Sequence, residues 1–119
     1  IPAFSGGAKD RVTVRHLLTH RSGLPAGRDL WRSASSPAEA RRQVLETRIY
    51  CAPGACYEYS DLGADVLGFV AETVSGRRLD RFVAERVFAP LGMTDTHFRP
   101  PAELRARTAP TEVAPPRGY

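Results

Sequence analysis

One stretch decides the fold of this chain: PGACYEYSDLGADVLGFVAETVSG, residues 53–76. It opens with Pro53-Gly54, a pair typical of tight turns. From Ser60-Asp61 to Gly76, apolar residues recur every three or four positions, which is the pattern of an amphipathic helix ended by a glycine. Asp61 suits the positive end of the helix dipole. The stretch therefore predicts a turn followed by a helix with one apolar stripe, made of Leu62, Val66, Phe69, Val70 and Val74.

Three further helices are predicted on either side of this stretch. The first follows Thr13, a good N-cap residue, and runs to about Thr19. The second begins with a Ser-x-x-Glu capping box at Ser36 and should run to about Arg48. The last ends at Pro90 and has one apolar stripe. That stripe contains Leu79, Phe82, Val83 and Val87.

The rest of the chain contains no pattern of alternating polarity that would predict a strand. Residues 99–119 hold five prolines and read as an extended connector with one helical turn near Ala102–Arg105. The predicted fold class is therefore mainly α.

Length and composition leave room for one small domain. The 119 residues are 42% apolar, which is enough for one core. No apolar run is long enough to predict a transmembrane segment. The net charge is +4, but the arginines are spread along the chain beside acidic residues, which favours solvated faces over a nucleic-acid site. Because Ile1 is neither a Met nor the start of a signal peptide, we expect a segment of a longer protein.

Two histidines have the spacing of metal ligands, but the residues between them do not match a known metal-binding motif. His16 and His20 are four residues apart and could share a helix face. A metalloprotease motif needs Glu after the first histidine, and Leu17 stands there. We therefore expect both to be structural and bonded to loop carbonyls, with His97 in the core or on the surface. The sequence predicts no metal and no cofactor.

The two cysteines flank the predicted Pro53-Gly54 turn, which should bring them within bridging range. Cys51 and Cys56 could form a disulfide, remain two reduced core thiols, or bind a metal. Two cysteines do not decide among these alternatives.

A nucleophile is missing from the chain, and one tyrosine is well placed for proton transfer. No serine stands in G-x-S-x-G or three residues before a lysine, because Gly6 holds that position before Lys9, the only lysine. Tyr59 should project from a loop at the positive end of a helix dipole. In the alternative interpretation, its ring simply packs against the protein.

Four blocks carry a family resemblance. They are VTVRHLLTHRSGLP (residues 12–25), PGACYEYSDLGADVLG (53–68), VSGRRLDRFV (74–83) and FAPLGMTDTHF (88–98). In this order they resemble the beta-lactamase-related serine hydrolases, a group that includes class C beta-lactamases, penicillin-binding D-alanyl-D-alanine peptidases and related esterases. The resemblance extends from Ile1 to about Val113.

The resemblance implies the helical subdomain of a beta-lactamase/penicillin-binding-protein-like α+β fold, with the sheet portion missing. Residues 1–113 would form this helical part, and residues 114–119 would begin the connector back to the sheet. The family's Ser-x-x-Lys motif lies upstream and its Lys-Thr-Gly or His-x-Gly motif downstream, and neither occurs here. We therefore expect the chain to be inactive alone, with an apolar face exposed around Val66, Phe69 and Val70 or at the ends of the last helix.

The family's Tyr-x-Asn motif maps onto Tyr59-Ser60-Asp61. The resemblance implies that Tyr59 is the catalytic tyrosine and that Asp61 occupies the Asn position. An amide both donates and accepts hydrogen bonds, whereas a carboxylate only accepts, so this departure weakens the case for beta-lactam specificity. Ser22 would lie in a packing loop and is not expected to be a nucleophile.

The implied activity is acyl-enzyme formation with a small-molecule or peptidoglycan-peptide substrate: a beta-lactam, a D-Ala-D-Ala-type peptide or a small ester. The implied location is the periplasm or the exterior of a bacterial cell. The alternative from another class is a non-catalytic helical binding or scaffold module in which Tyr59 only packs.

Overall fold

The computed structural model describes residues 1–109, and this part of the chain is helical with no β-strand. The α-helices are α1 (Val14–Leu18), α2 (Leu30–Ser33), α3 (Pro37–Glu46), α4 (Asp61–Ser75) and α5 (Leu79–Val83). Two 3-10 helices cover Gly7–Arg11 and Ala102–Arg107, and a π-helix, Ala84–Phe88, follows α5 directly. The prediction of a mainly α fold is confirmed. None of the helices in residues 1–109 has the length and hydropathy of a membrane span.

Helix α4 begins and ends where its sequence predicts. The Ser60 hydroxyl accepts a hydrogen bond from the Gly63 amide at 3.0 Å, which satisfies one of the free N–H groups of the first turn. Gly76 ends the helix in the left-handed conformation, with φ of 67°. The apolar stripe is covered only as far as Val70, and Val74, one turn later, is 84% exposed.

The core lies where α1, α3 and α4 pack together. Its fully buried apolar side chains are Leu17, Leu24, Val44, Leu45, Leu62 and Val66. Of the two expected locations of an exposed apolar face, the one around Val66, Phe69 and Val70 is therefore wrong, whereas Val87, near the end of the last helix, is 39% exposed. Val66 is buried, Phe69 and Val70 pack partly against the core, and the Arg41 guanidinium lies over the Phe69 ring at 4.1 Å.

Helix α3 has half of its predicted capping box. The Ser36 hydroxyl accepts from the Glu39 amide at 3.1 Å. The Glu39 carboxylate instead accepts from the Arg42 guanidinium and the Gln43 amide, and these hydrogen bonds lower its pKa to about 2. The helix ends at Glu46, two residues before the predicted end.

The chain divides into two compact units, residues 1–79 and the residues from Asp80 onward. In the second unit, the predicted last helix is present as α5 and the π-helix, which stop before Pro90, and the predicted turn follows at Gly92 with φ of 66°. The helical turn predicted near Ala102–Arg105 is the 3-10 helix Ala102–Arg107. The connector predicted for residues 114–119 lies outside the described residues.

Candidate active site around Tyr59

A disulfide-closed loop leads into the candidate site. Cys51 and Cys56 are bonded, with their Cα atoms 6.5 Å apart. Gly54, with φ of 87°, makes the turn between them. Its amide donates to the Arg21 carbonyl at 2.8 Å, which ties the loop to the segment after α1. Of the three alternatives for the cysteines, the structure contains the disulfide.

The segment after this loop runs along His20. The Glu58 amide donates to the His20 carbonyl at 2.9 Å, and the Ser60 amide donates to His20 Nδ1 at 3.1 Å. The rings of His20 and Tyr59 lie 4.5 Å apart between centroids, tilted by 37°. The backbone is therefore held on both sides of Tyr59.

Ser60 is a buried residue between two exposed neighbours. It is 1% exposed, and its hydroxyl donates to the Pro25 carbonyl at 2.7 Å while accepting from Gly63. Because the backbone is extended at Ser60, its two neighbours project away from the core. Tyr59 is 65% exposed, and its hydroxyl has no hydrogen bond to any residue from 1 to 109.

Asp61 is the first residue of α4 and is also exposed. Its amide donates to the Ala26 carbonyl at 2.7 Å, and its carboxylate lies beside Gly27. One helical turn later, Asp65 is half-buried, and burial, with a smaller contribution from the charge of Asp61, raises the pKa of its carboxyl. Tyr59 and Asp61 are both exposed, and no hydrogen bond joins the Tyr59 hydroxyl to the Asp61 carboxylate.

His16 and His20 make hydrogen bonds to the backbone, but with partners that differ from the predicted loop carbonyls. His16 Nδ1 accepts from the Thr13 amide at 3.3 Å, and the Thr13 hydroxyl accepts from the His16 amide, which completes a capping box for α1. Both His16 and His20 thus accept from backbone amides, and neither donates to a carbonyl of residues 1–109. His97 is exposed. Within residues 1–109, no three metal-ligating side chains cluster.

Ser22, which the family resemblance implies to lie in a packing loop, is buried. It is 1% exposed, and its hydroxyl accepts from the Leu24 amide at 3.3 Å. A buried hydroxyl with this partner is closed to substrate. Tyr59 and Asp61, in contrast, are exposed.

Comparison with known sequences adds the family. The family model described as beta-lactamase matches residues 1–118. The chain belongs to the beta-lactamase family. The helical architecture of residues 1–109 is that of a helical fragment of a beta-lactamase-like domain.

Several relatives of this beta-lactamase-family chain carry one name, "Putative D-alanyl-D-alanine carboxypeptidase". The protein from Escherichia coli K12 is 34% identical over 113 residues, which cover 84% of this chain and 26% of the relative. The one from Escherichia coli O157:H7 is 36% identical over 99 residues, covering 77% and 23%. The one from Salmonella schwarzengrund is 30% identical over 102 residues, also covering 77% and 23%. The chain spans about a quarter of the length of these relatives.

His20 is the neighbour of Tyr59 that sequence reasoning did not find. Its contact with Ser60 joins residues 40 positions apart, which no local pattern in this beta-lactamase-family chain predicts. One signal was available. His20 follows Thr19, the C-cap residue of α1, at a position where glycine is the usual residue.

Proposed function

We propose that the complete protein is a serine hydrolase that forms an acyl-enzyme, and that this chain supplies its proton-transferring tyrosine. One observation carries the proposal. The Tyr59 hydroxyl is exposed and has no partner within residues 1–109, while the backbone on either side of it is held. A tyrosine whose role is only packing does not require an exposed hydroxyl on a fixed backbone. A tyrosine that acts as general acid and base must present its hydroxyl to substrate.

The proposed reaction has two steps. In acylation, a serine oxygen attacks the substrate carbonyl carbon, the bond to the leaving group breaks, and Tyr59 passes the serine proton to the leaving amine or alkoxide. In deacylation, water attacks the ester, and its proton returns through Tyr59 to the serine oxygen. No Ser-x-x-Lys motif occurs in the 119 residues, so the nucleophile belongs to another part of the protein and the chain alone is inactive.

The substrate classes follow from the relatives and from Asp61. A D-Ala-D-Ala-type peptide is supported by the relatives' name. Asp61 stands where an amide would both donate and accept, and an ionised carboxylate only accepts. We therefore expect peptides and small esters to be turned over faster than beta-lactams. A beta-lactam would acylate the enzyme, and its acyl-enzyme would be hydrolysed slowly.

A location in the periplasm or outside the cell fits this substrate. Peptides that end in D-Ala-D-Ala are components of peptidoglycan. The Cys51–Cys56 disulfide is a second support, because disulfides persist in oxidising compartments.

The rival function is a non-catalytic helical binding or scaffold module. The ring contact between Tyr59 and His20 is the observation that favours it, since it gives the tyrosine a packing role. The exposure of the hydroxyl favours catalysis.

Covalent trapping tests the proposed function. The full-length protein is incubated with a penicillin, and its intact mass is measured before and after. We expect a gain of one penicillin mass, release of D-Ala from an acyl-D-Ala-D-Ala peptide, and hydrolysis of p-nitrophenyl acetate. The 119-residue chain serves as the control and should do none of these. A full-length protein that is inert toward all three probes would support the scaffold module.

A further inference from the structure

His20 occupies a backbone conformation that costs energy. After α1, the Arg21 amide donates to the His16 carbonyl at 2.7 Å, and the His20 amide donates to the Leu17 carbonyl at 3.2 Å. This pair of bonds is a Schellman motif, in which the residue at the position of His20 is left-handed and is usually glycine. His20 has φ of 55°, and within residues 1–109 every other positive φ belongs to a glycine. The strain indicates that the side chain has a role that glycine cannot fill.

That side chain and its backbone make three contacts with the segment around Tyr59. The His20 carbonyl accepts from Glu58, and Nδ1 accepts from Ser60, so one residue holds the amides on both sides of Tyr59. The imidazole ring supports the Tyr59 ring at 4.5 Å. Since Nδ1 is an acceptor here, the neutral ring carries its proton on Nε2.

We propose that His20 is a positioning residue for Tyr59. It sets the direction of the tyrosine ring through the Ser60 hydrogen bond and the ring contact. The strained backbone at the end of α1 places the imidazole against the segment around Tyr59. The proposal rests on the proposed function for its effect on turnover. The claim that His20 holds the segment around Tyr59 depends only on the contacts described above.

Two substitutions at His20 separate backbone strain from positioning. His20→Gly removes the strain and all side-chain contacts, whereas His20→Asn tolerates the left-handed conformation and offers an oxygen where Nδ1 now accepts. We expect the full-length His20→Gly protein to unfold close to the wild-type temperature, because relief of strain offsets one lost hydrogen bond. Its kcat on p-nitrophenyl acetate should fall about 10-fold with KM nearly unchanged, and His20→Asn should recover part of the loss.

A double substitution tests whether His20 acts through Tyr59. In the Tyr59→Phe background, His20→Gly should cause no further loss of kcat, because the hydroxyl that it positions is already absent. Losses that multiply in the double variant would overturn the proposal, as would wild-type kcat in His20→Gly.

Hydrogen exchange gives a readout that does not depend on activity. By mass spectrometry of the full-length protein, a peptide containing residues 58–61 should exchange faster in His20→Gly than in wild type and return toward the wild-type rate in His20→Asn. Unchanged exchange in His20→Gly would overturn positioning. If Tyr59→Phe keeps full turnover, the proposed function fails, and the exchange rates still decide whether His20 positions the segment.

Discussion

Ser60 divides the Tyr59-Ser60-Asp61 motif between the core and the surface. Its hydroxyl bridges the Pro25 carbonyl and the first turn of α4, and its two neighbours therefore point outward. The family resemblance implied that Tyr59 and Asp61 are site residues, and the position of Tyr59 before a helix start also favoured it. The sequence did not predict the bond to Pro25, since a contact across 35 residues depends on how the helices pack.

The ionised carboxylate of Asp65 is predicted to destabilise the folded protein at neutral pH. Burial and Asp61 raise the pKa of its carboxyl above the ordinary value of 3.8, so the folded state binds its proton more readily than the unfolded state. The stability that this group contributes therefore falls as the pH rises from about 4 through its raised folded pKa. Asp65→Asn should remove that fall and raise the free energy of unfolding at pH 7 by about 0.5 kcal/mol, measured by urea denaturation across the acid range.

Glu39→Gln is the matched control with the opposite sign. The hydrogen bond from Arg42 lowers the pKa of Glu39 to about 2, so its contribution is present above about 4.5 and disappears toward about 2. The variant should be less stable than wild type at pH 7 and equal to it in strong acid. A loss of stability in Asp65→Asn at pH 7 would contradict this electrostatic account.

Any substitution of Gly23 is predicted to destabilise the protein, because no space is left for a side chain at this position. Its φ is 82°, and an added Cβ would collide with the Cys51 carbonyl, which is backbone and cannot move aside. Gly23→Ala should lower the free energy of unfolding by about 2–4 kcal/mol. Gly76 has a similar φ of 67° and open space around it, so Gly76→Ala should cost only about 1 kcal/mol. Equal losses in the two variants would show that the collision does not matter.

At the scale of elements, α1, α3 and α4 were predictable from their local capping signals, and α2 was not. α1, α3 and α4 have side-chain caps at Thr13, Ser36 and Ser60. α2 has no side-chain cap bond, and Gln43 holds its end by accepting from the Ser33 hydroxyl and donating to the Ser33 carbonyl. Because Gln43 belongs to α3, the sequence near α2 carries no sign of it.

Glu72 connects three elements through one carboxylate. It accepts from the Leu79 amide at 3.0 Å and from the Arg41 guanidinium at 2.8 Å, so α3, α4 and the start of α5 meet at this group. The Leu79 hydrogen bond and then Arg41 lower its pKa. Glu72 is not part of the predicted apolar stripe of α4, and the sequence analysis did not identify these contacts.

The Cys51–Cys56 disulfide is predicted to stabilise the loop that leads to Tyr59. It closes a loop of six residues, for which the chain-entropy model gives about 2 kcal/mol. The double variant Cys51→Ser/Cys56→Ser should lose about this much in chemical denaturation. Reductant should destabilise wild type by the same amount and leave the double variant unchanged. A thiol count on denatured, unreduced protein should be zero, and two free thiols would contradict the bond.

For the whole molecule, the family and the helical class were predictable, while the burial of the apolar stripe of α4 from Leu62 to Val70 was not. The blocks around Val12–Pro25 and Pro53–Gly68 carry the family resemblance, and the matched range is residues 1–118. Burial of Val66 depends on contacts that α1 and α3 make with α4, and periodicity within α4 cannot reveal them. The large apolar side chains left exposed on the first unit include Val14, Leu18, Trp31 and Val74.

The central claim is that Tyr59 transfers protons in the complete enzyme. Tyr57 offers a matched control, because it is 63% exposed against 65% for Tyr59, lies two residues away and contacts the same histidine. The decisive measurement is kcat of full-length Tyr59→Phe and Tyr57→Phe on an acyl-D-Ala-D-Ala peptide and on p-nitrophenyl acetate. The account predicts a 10² to 10⁴-fold loss for Tyr59→Phe with unchanged folding, and near wild-type turnover for Tyr57→Phe. Full turnover in Tyr59→Phe, or equal losses in both variants, would contradict it.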